Sequence, residues 1–512
     1  MFERGRTITC VWPDEPHVRE RISAERDDLV AETAVSEGVF HQSIGPFETY
    51  ERRVLTDINT GTISETTAYH LNVPWFGWLF AWPIQALIAR RWHDPTVHPG
   101  RQPTKTMPWW APPDQLTARH VLILGLLAAA SMSSAFTNTL FTQTAKLAAD
   151  DFGISNSGVG NAGSIVRIGI IITIPLAVLA DRVGRQRIIR IVAWAAPAIT
   201  ALGALAPNFA TLVATQAIGR PLGLALDFLV AVVAAEEMPR NSRAYAVSVL
   251  AMASGLGSGI AVMALPLADL GHGAWRLVYV VTLVWLVVAV DISRRLPETQ
   301  RFERPHHIAP PIDRRRFAVL ATVAVCANFF IAPASFFQNS YLKDIRGFDA
   351  TGIAMFTLVT ATPAGLGLIV GGQLADVRGR RRLIAFSVPL ATLLLLLSFS
   401  IGGGPMWLSA FGGGFVAGIA YPAIAVYRAE MFPTGNRGRA AGLLTAAALL
   451  GGVAGIQLVG RLLDRGHSYT TVIGLAALGQ LVVVITVLTR FPETAHRELE
   501  DLNPEDQAAI SL

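Results

Sequence analysis

Three charged residues stand inside long apolar stretches of this chain: Arg167, Arg220 and Asp227. A charge held in hydrocarbon costs roughly 2.5–3.5 kcal/mol on insertion scales, and such residues mark functional sites. Arg220 and Asp227 are seven residues apart, two helical turns, so both point toward one face. Two arginines and one acid leave a net positive interior. An arginine there can hold an anionic group through paired N–H donors, and Asp227 can exchange a proton. The other reading of the same residues is a structural ion pair, Asp227 to Arg167, that locks two helices together. Asn138, Asn328 and Tyr421 lie in other apolar stretches and are uncharged candidates for lining the same cavity, or else ordinary packing. The sequence contains no Walker loop, no GxSxG and no cluster with metal-ligand spacing, so neither an enzyme, a metal nor a cofactor is expected.

The elements that must position these residues are membrane helices. The 512 residues are 52% hydrophobic and only 15% charged, with mean hydropathy +0.44, whereas soluble domains average about 25% charged. Between residues 120 and 489 the sequence breaks into twelve apolar runs, each near the roughly 20 residues that cross a bilayer. Gly and Ser recur inside them, which suits close helix packing in lipid, and no run alternates as a barrel strand does. A net charge of +5 invites a nucleic-acid reading, but the basic residues form no single patch. Fourteen arginines, from Arg182 to Arg439, occupy one set of short loops, against six basic residues on the opposite set. The positive-inside rule therefore places both chain ends in the cytoplasm. The first twenty residues have no apolar core, so no cleaved signal is expected.

The chain is also written twice. "LADRVGRQR" (179–187) returns as "LADVRGRRR" (374–382), and Asp181 and Asp376 are 195 positions apart (376 − 181). Glu237 in "AAEEMPRNSR" and Glu430 in "YRAEMFPTGNRGR" are offset by 193 (430 − 237), and "PETQR" returns as "PETAH" after 195 (492 − 297). These phrases resemble the loop signatures of the major facilitator superfamily, in particular its sugar-porter and metabolite:proton symporter branches; "GRPLG" (219–223) is similar to the arginine motif of its fourth helix. The resemblance covers residues 119–502. It implies an all-α membrane protein of twelve transmembrane helices in two six-helix repeats, 119–300 and 317–490, joined by a cytoplasmic linker, 301–316, and followed by a tail, 491–512. If the halves meet in pseudo-symmetry, Asp181 at the end of the second helix faces the start of the eleventh (Gly438, Arg439) and Asp376 faces that of the fifth (Arg243, Ala244), where free N–H groups and positive charge compensate it. The expected conformational latch is Asp181, Arg182, Gly184, Arg185, Asp376, Gly379, Arg380, Glu237, Arg243, Glu430 and Arg437, and the alternative is a set of charged loops that only fixes topology. The first helix carries no carboxylate, where many of these symporters place one. The alternatives to proton symport are therefore facilitated diffusion and antiport.

Residues 1–118 form an N-terminal cytoplasmic extension of α+β type. "FETYERRVL" (47–55), the turn "DINTGT" (57–62) and "ISETTAYHL" (63–71) predict a β-hairpin. The segment 72–91, rich in tryptophan and closed by Arg90 and Arg91, predicts a helix lying on the cytoplasmic face of the membrane; the alternative is a thirteenth span. The pattern resembles a truncated START-like lipid-binding domain. The expected protein is thus a monomeric secondary transporter of the plasma or inner membrane. It moves a small polar, anionic metabolite by alternating access, coupled to protons, with the lipid bilayer as its other partner and no nucleic acid. The rival readings are drug or lipid efflux, and a non-transporting membrane sensor or lipid-binding protein.

Overall fold

The computed structural model describes residues 5–58, 60–89, 112, 114–169, 173–239, 242–298, 312–432 and 437–493. An N-terminal unit comes first: β1 (Arg6–Pro13), α1 (Pro16–Ile22), β2 (Ala31–Ser36), β3 (Val39–Ile44), β4 (Thr49–Asp57), β5 (Thr62–His70) and α2 (Gly77–Ala89). The strands form one antiparallel sheet in the order β1-β5-β4-β3-β2. The expected hairpin is β4–β5, paired from Thr49↔His70 to Asp57↔Thr62. The three other strands are an addition to the expectation, because their short polar alternations carry little signal. Ile84 and Ile88 of α2 pack on the sheet with Phe47, Tyr50 and Tyr69. The described part of α2 has 13 residues, fewer than the roughly 20 that cross a bilayer.

The sheet interior holds a charge. Arg52 is fully buried and donates to both carboxylate oxygens of Glu32 (Nη2 to Oε2, 2.6 Å), to Glu65, and to the carbonyls of Ile22 and Ala24. The Tyr50 hydroxyl donates to Glu32 at 2.5 Å. Burial, the largest influence, holds that phenol above its ordinary pKa, so it stays a neutral donor.

The membrane bundle follows. Its elements are α3 (Ala118–Asp151), α4 (Asn156–Ile168), α5 (Thr173–Val183), α6 (Arg185–Ala201), α7 (Phe209–Glu237), α8 (Arg243–Met263), α9 (Trp275–Val280), α10 (Trp285–Arg295), α11 (Arg314–Asp344), α12 (Ala350–Arg378), α13 (Arg380–Ser398), α14 (Gly403–Glu430), α15 (Arg437–Asp464) and α16 (Tyr469–Arg490). Eleven helical stretches among the described residues are long and apolar enough to cross a membrane. With α4 and α5 on either side of residues 170–172 in second place, the described helices are consistent with the expected twelve-helix arrangement.

Glycines set the packing of the helices. A Cβ on Gly257 of α8 would collide with the Met132 carbonyl of α3, and Cβ atoms on Gly451 and Gly455 of α15 with the carbonyls of Val325 and Phe329 on α11. The fifth span therefore lies backbone-to-backbone on the first, and the eleventh on the seventh, as small residues allow in lipid.

The N-terminal unit docks at the end of the bundle where α3 begins and α10 ends. Pro74 packs on Gly125 of α3. The Trp75 indole N–H donates to Asp291 of α10 at 3.1 Å, and Gln115 donates to Asp27 at 2.9 Å. This end is called the near end below, and the opposite one the far end.

Candidate functional site

Arg167 and Arg220 occupy equal depths. Each lies eleven residues after the first residue of its helix, α4 or α7, or about 16 Å down from the far end at ~1.5 Å per residue. The two helices pack together, and the two guanidinium charges repel one another. Arg167 Nε and Arg220 Nε and Nη1 are buried without a hydrogen-bond partner. An unmet buried donor costs about 1–3 kcal/mol and more when charged, and among the described residues nothing offsets that cost for these three nitrogens.

Arg167 also lies at the seam between the two halves. A Cβ on Gly452 of α15 would stand 3.0 Å from its Nη1. Farther out, the seam is closed turn by turn. Ser164 Oγ donates to the Val453 carbonyl at 3.5 Å. Gly160 approaches the Ile456 carbonyl, and Gly460 the Asn156 carbonyl. Ser157 N–H donates to Asp464 at 2.9 Å. The two arginines therefore sit at the bottom of a seam closed from the far end.

Asp227 takes a different partner from the expected arginine. Ser131 Oγ of α3 donates to its Oδ1 at 3.2 Å, and no ion pair joins it to Arg167 or Arg220 among the described residues. The reason is geometric: two turns along α7 separate Asp227 from Arg220 by about 10 Å of rise. Asn138 comes close to Arg220 instead. Its Oδ1 is buried, unpartnered and directed at Gly223, one turn from Arg220, while its Nδ2 donates to Ser134 Oγ at 3.2 Å.

The other two candidates are less engaged. Asn328 donates to the Ala324 carbonyl of its own helix at 3.1 Å, and Tyr421 is 63% exposed. The structure thus brings together Arg167, Arg220 and Asn138, with Asp227 nearer the other end of α7.

Of the expected latch, the side chains of Asp181, Arg182, Arg243, Asp376, Glu430 and Arg437 lie outside the described residues. Among the described members, Gly184, Gly379 and Glu237 meet residues of their own half. Gly184 (φ 110°) and Gly379 (φ 91°) make the left-handed turns that start α6 and α13. Each turn is packed by a glutamate from the repeated "PET" phrase. Glu298 Oε1 accepts from Gln186 N–H at 3.2 Å, and Glu493 accepts from the N–H groups of Arg380 and Arg381 at 2.9 and 3.1 Å. Carboxylates at helix N-termini are stabilised there. Arg185 likewise has partners, and Glu237 pairs with Arg119 at 3.4 Å. These contacts of Arg119, Glu298 and Glu493 are not part of the expected latch, although the 195-residue echo of the two glutamates marks them in the sequence.

At the far end, Asp151 gathers Trp275 Nε1 and Arg276 Nη1, each at 3.1 Å, tying α9 to α3.

Comparison with known proteins agrees with this architecture. The chain is 26% identical to the gentisate transporter of Corynebacterium glutamicum over 370 residues, which cover 68% of this chain and 82% of that one. It is 27% identical to the cis,cis-muconate transport protein of Acinetobacter baylyi over 214 residues, 38% of this chain and 51% of that one. The xylose transporter XylE of E. coli, in an inward-open conformation, superposes with a TM-score of 0.63 at 15% identity, over 75% of this chain and 99% of that one. The family model of the Major Facilitator Superfamily matches residues 126–360 and 318–511. The chain therefore belongs to the Major Facilitator Superfamily: it is a multi-pass membrane protein that carries small metabolites by secondary transport, and not an enzyme.

Proposed function

We propose that the cargo is a small organic anion, with carboxylates the preferred class, moved in symport with protons by a monomer in the inner membrane whose two ends are both cytoplasmic. The observation that carries this reading is the set of buried guanidinium nitrogens without a partner among the described residues, Arg167 Nε and Arg220 Nε and Nη1, with Arg167 at the seam between the halves. Two such groups offer planar, paired donors that match a carboxylate, and transporters of this architecture bind cargo near mid-membrane between their repeats. Two relatives are named for carboxylates, gentisate and cis,cis-muconate. Asp227 is the proton carrier in this reading, because it is held by one hydroxyl and no cation. Arrival of an anion and of a proton then leaves the charge of the site unchanged.

The test is uptake into proteoliposomes under an imposed pH gradient, with aromatic and aliphatic carboxylates, sugars and uncharged drugs offered side by side. Carboxylates are expected to accumulate at least tenfold over neutral solutes. Asp227→Asn is expected to keep exchange of labelled cargo while losing gradient-driven accumulation. Preference for a sugar or a neutral drug overturns the anionic reading, and an Asp227→Asn variant that still concentrates its cargo overturns the proton assignment.

The same reading places α2 on the cytoplasmic leaflet. The 34 residues of α3 extend about 51 Å against roughly 30 Å of hydrocarbon, so about 10 Å projects at either end. Gly125, where Pro74 packs, lies seven residues in, at that boundary. Trp75 is held there at φ 66°, a strained backbone for a non-glycine residue. Trp78 and Trp82, 70% and 77% exposed, lie off the face that packs on the sheet, and tryptophan is favoured at the membrane interface. Brominated lipids in nanodiscs are expected to quench the parent more strongly than the Trp78→Phe, Trp82→Phe double variant. Equal lipid quenching in both proteins, with aqueous iodide reaching the two indoles, overturns the placement.

A further inference from the structure

Along the contact between α3 and α7 the polar groups fall into register. Ser131, Ser134 and Asn138 follow one another at three- and four-residue steps on α3, and Arg220, Gly223 and Asp227 do so on α7, so each set lies along one face of its helix. The helices run antiparallel and the sets meet rung by rung. Ser131 Oγ donates to Asp227 at 3.2 Å, Ser134 Oγ donates to the Gly223 carbonyl at 2.6 Å, and Asn138 stands against Gly223, one turn from Arg220. The second half does not repeat the stripe. The backbone contact of Gly257 with Met132 recurs there as that of Gly451 with Val325, which makes Ala324, Ala327 and Ile331 the counterparts of the three α3 residues (325 − 132 = 193). The stripe is therefore no packing requirement of the six-helix unit.

This register fixes which way the Asn138 amide faces. A serine hydroxyl carries one proton, and that of Ser134 is committed to the Gly223 carbonyl, so toward Asn138 it can only accept. The atom 3.2 Å from Ser134 Oγ must then be the donating Nδ2, and Oδ1 is the atom turned away. Oδ1 is buried and has no partner among the described residues. It lies where a Cβ on Gly223 would stand 3.0 Å away, so a larger residue at 223 would crowd it. A carboxamide oxygen accepts and never donates. The donor that suits it is uncharged, because an ammonium there would stand about one turn (~5.4 Å) from the Arg220 position, with Arg167 repelling it as well.

We infer that Asn138 determines specificity and that the preferred cargo is a hydroxy-carboxylate: Arg220 and Arg167 hold its carboxylate, and a hydroxyl on the same small molecule donates to Asn138 Oδ1. Gly223 lies three residues from Arg220, about 4.5 Å of helix rise, so both groups of a single-ring or short-chain molecule reach their partners at once. A carboxylate that lacks the hydroxyl leaves a buried acceptor unmet, and sites of this kind discriminate against such analogues. A methoxy group in the same place brings a second acceptor and no proton. The inference rests on the anionic reading of the two arginines and adds a second functional group to the cargo.

The test is equilibrium binding to the full chain in nanodiscs with matched series of probes. One series is benzoate with its hydroxy, methoxy and aminomethyl derivatives at each ring position, and the other is butyrate with its hydroxy, methoxy and amino derivatives. In at least one series a hydroxy isomer is expected to bind at least tenfold more tightly than the unsubstituted acid. Its methoxy and ammonium counterparts are expected to gain no more than twofold. Asn138→Leu is expected to bring the ratio of hydroxy to unsubstituted affinity to within twofold of one. Gly223→Ala is expected to do the same, because its methyl displaces the amide oxygen. A merely structural role for Asn138 lowers both affinities alike and keeps the parental ratio. The inference alone is overturned, with the anionic reading left standing, if carboxylates bind and no hydroxy isomer is preferred, if the methoxy acid matches the hydroxy acid, or if both variants keep the parental ratio. Failure of every carboxylate to bind overturns both.

Discussion

Arg220→Gln is expected to bind a carboxylate cargo about 30- to 1,000-fold more weakly while raising the melting temperature of the empty protein. The loss follows from removing one or two charge-assisted hydrogen bonds, together about 2–4 kcal/mol, at about 1.4 kcal/mol per tenfold. The gain in stability follows from the absence of a partner: Arg220 Nε and Nη1 are buried and unmet, and the neighbouring Arg167 repels it. Removing that charge relieves both costs in the empty state. A structural ion pair makes the opposite forecast, because its loss would lower the melting temperature. Arg220→Lys keeps the charge without the planar fork and is expected to recover less than a tenth of the parent's affinity. Thermal shift with and without carboxylate, on parent and variants, measures both quantities at once. A destabilised Arg220→Gln protein that still binds carboxylate would sink the assignment.

Arg52→Ala is expected to unfold the N-terminal unit while leaving the bundle intact. Arg52 compensates Glu32, whose side chain is wholly inaccessible, and also bonds Glu65 and two carbonyls. Truncating one partner of a buried pair costs about 3–5 kcal/mol, because it strands the other charge. That is comparable to the whole stability of a unit this small. Hydrogen exchange of the full chain in detergent is the measurement: amides of β4 and β5 are expected to lose protection by at least a hundredfold, while those of α3 and α11 remain protected. Arg52→Ala with Glu32→Gln is expected to recover part of the loss, since no charge is then stranded. Undiminished protection in Arg52→Ala would show that the pair contributes nothing.

The spans and the repeat were legible because their causes are local or periodic. Hydropathy marks each helix on its own, and the second copy of "LADRVGRQR" stands in the chain for anyone to count. The hairpin was legible because β4 and β5 are neighbours joined by a glycine turn. Partners distant in sequence were not. Asp227 was expected beside an arginine because opposite charges attract, but helix rise carried it to Ser131. Lys146 and Lys343 count among the six basic residues of the opposite loops, and nothing in their spacing says that α3 and α11 bring them to Asp344 and Asp150. Buried lack of a partner, which singles out Arg167 and Arg220, is a property of three-dimensional surroundings that no spacing encodes. The strands β1 to β3 failed for a related reason: their pairing depends on β4 and β5 being in place, and their own residues are mostly exposed and polar.

At the far end Lys146 of α3 pairs with Asp344 of α11 and Lys343 of α11 with Asp150 of α3, while Asp269 and Asp464 accept from the starts of α12 and α4. These exchanged contacts carry a consequence for ancestry. A six-helix chain with a lysine and an aspartate near the end of its first helix, and an aspartate after its fifth, holds both sides of that interface. Two copies of such a chain would close on each other before any fusion joined them. The three charges inside the spans show what fusion then permitted. At the repeat offsets of their helices, Arg167 corresponds to Thr362, Arg220 to Gly413 and Asp227 to Ala420. Symmetry was retained where the halves meet and abandoned around Arg167, Arg220 and Asp227, so the two descendant halves are no longer interchangeable there.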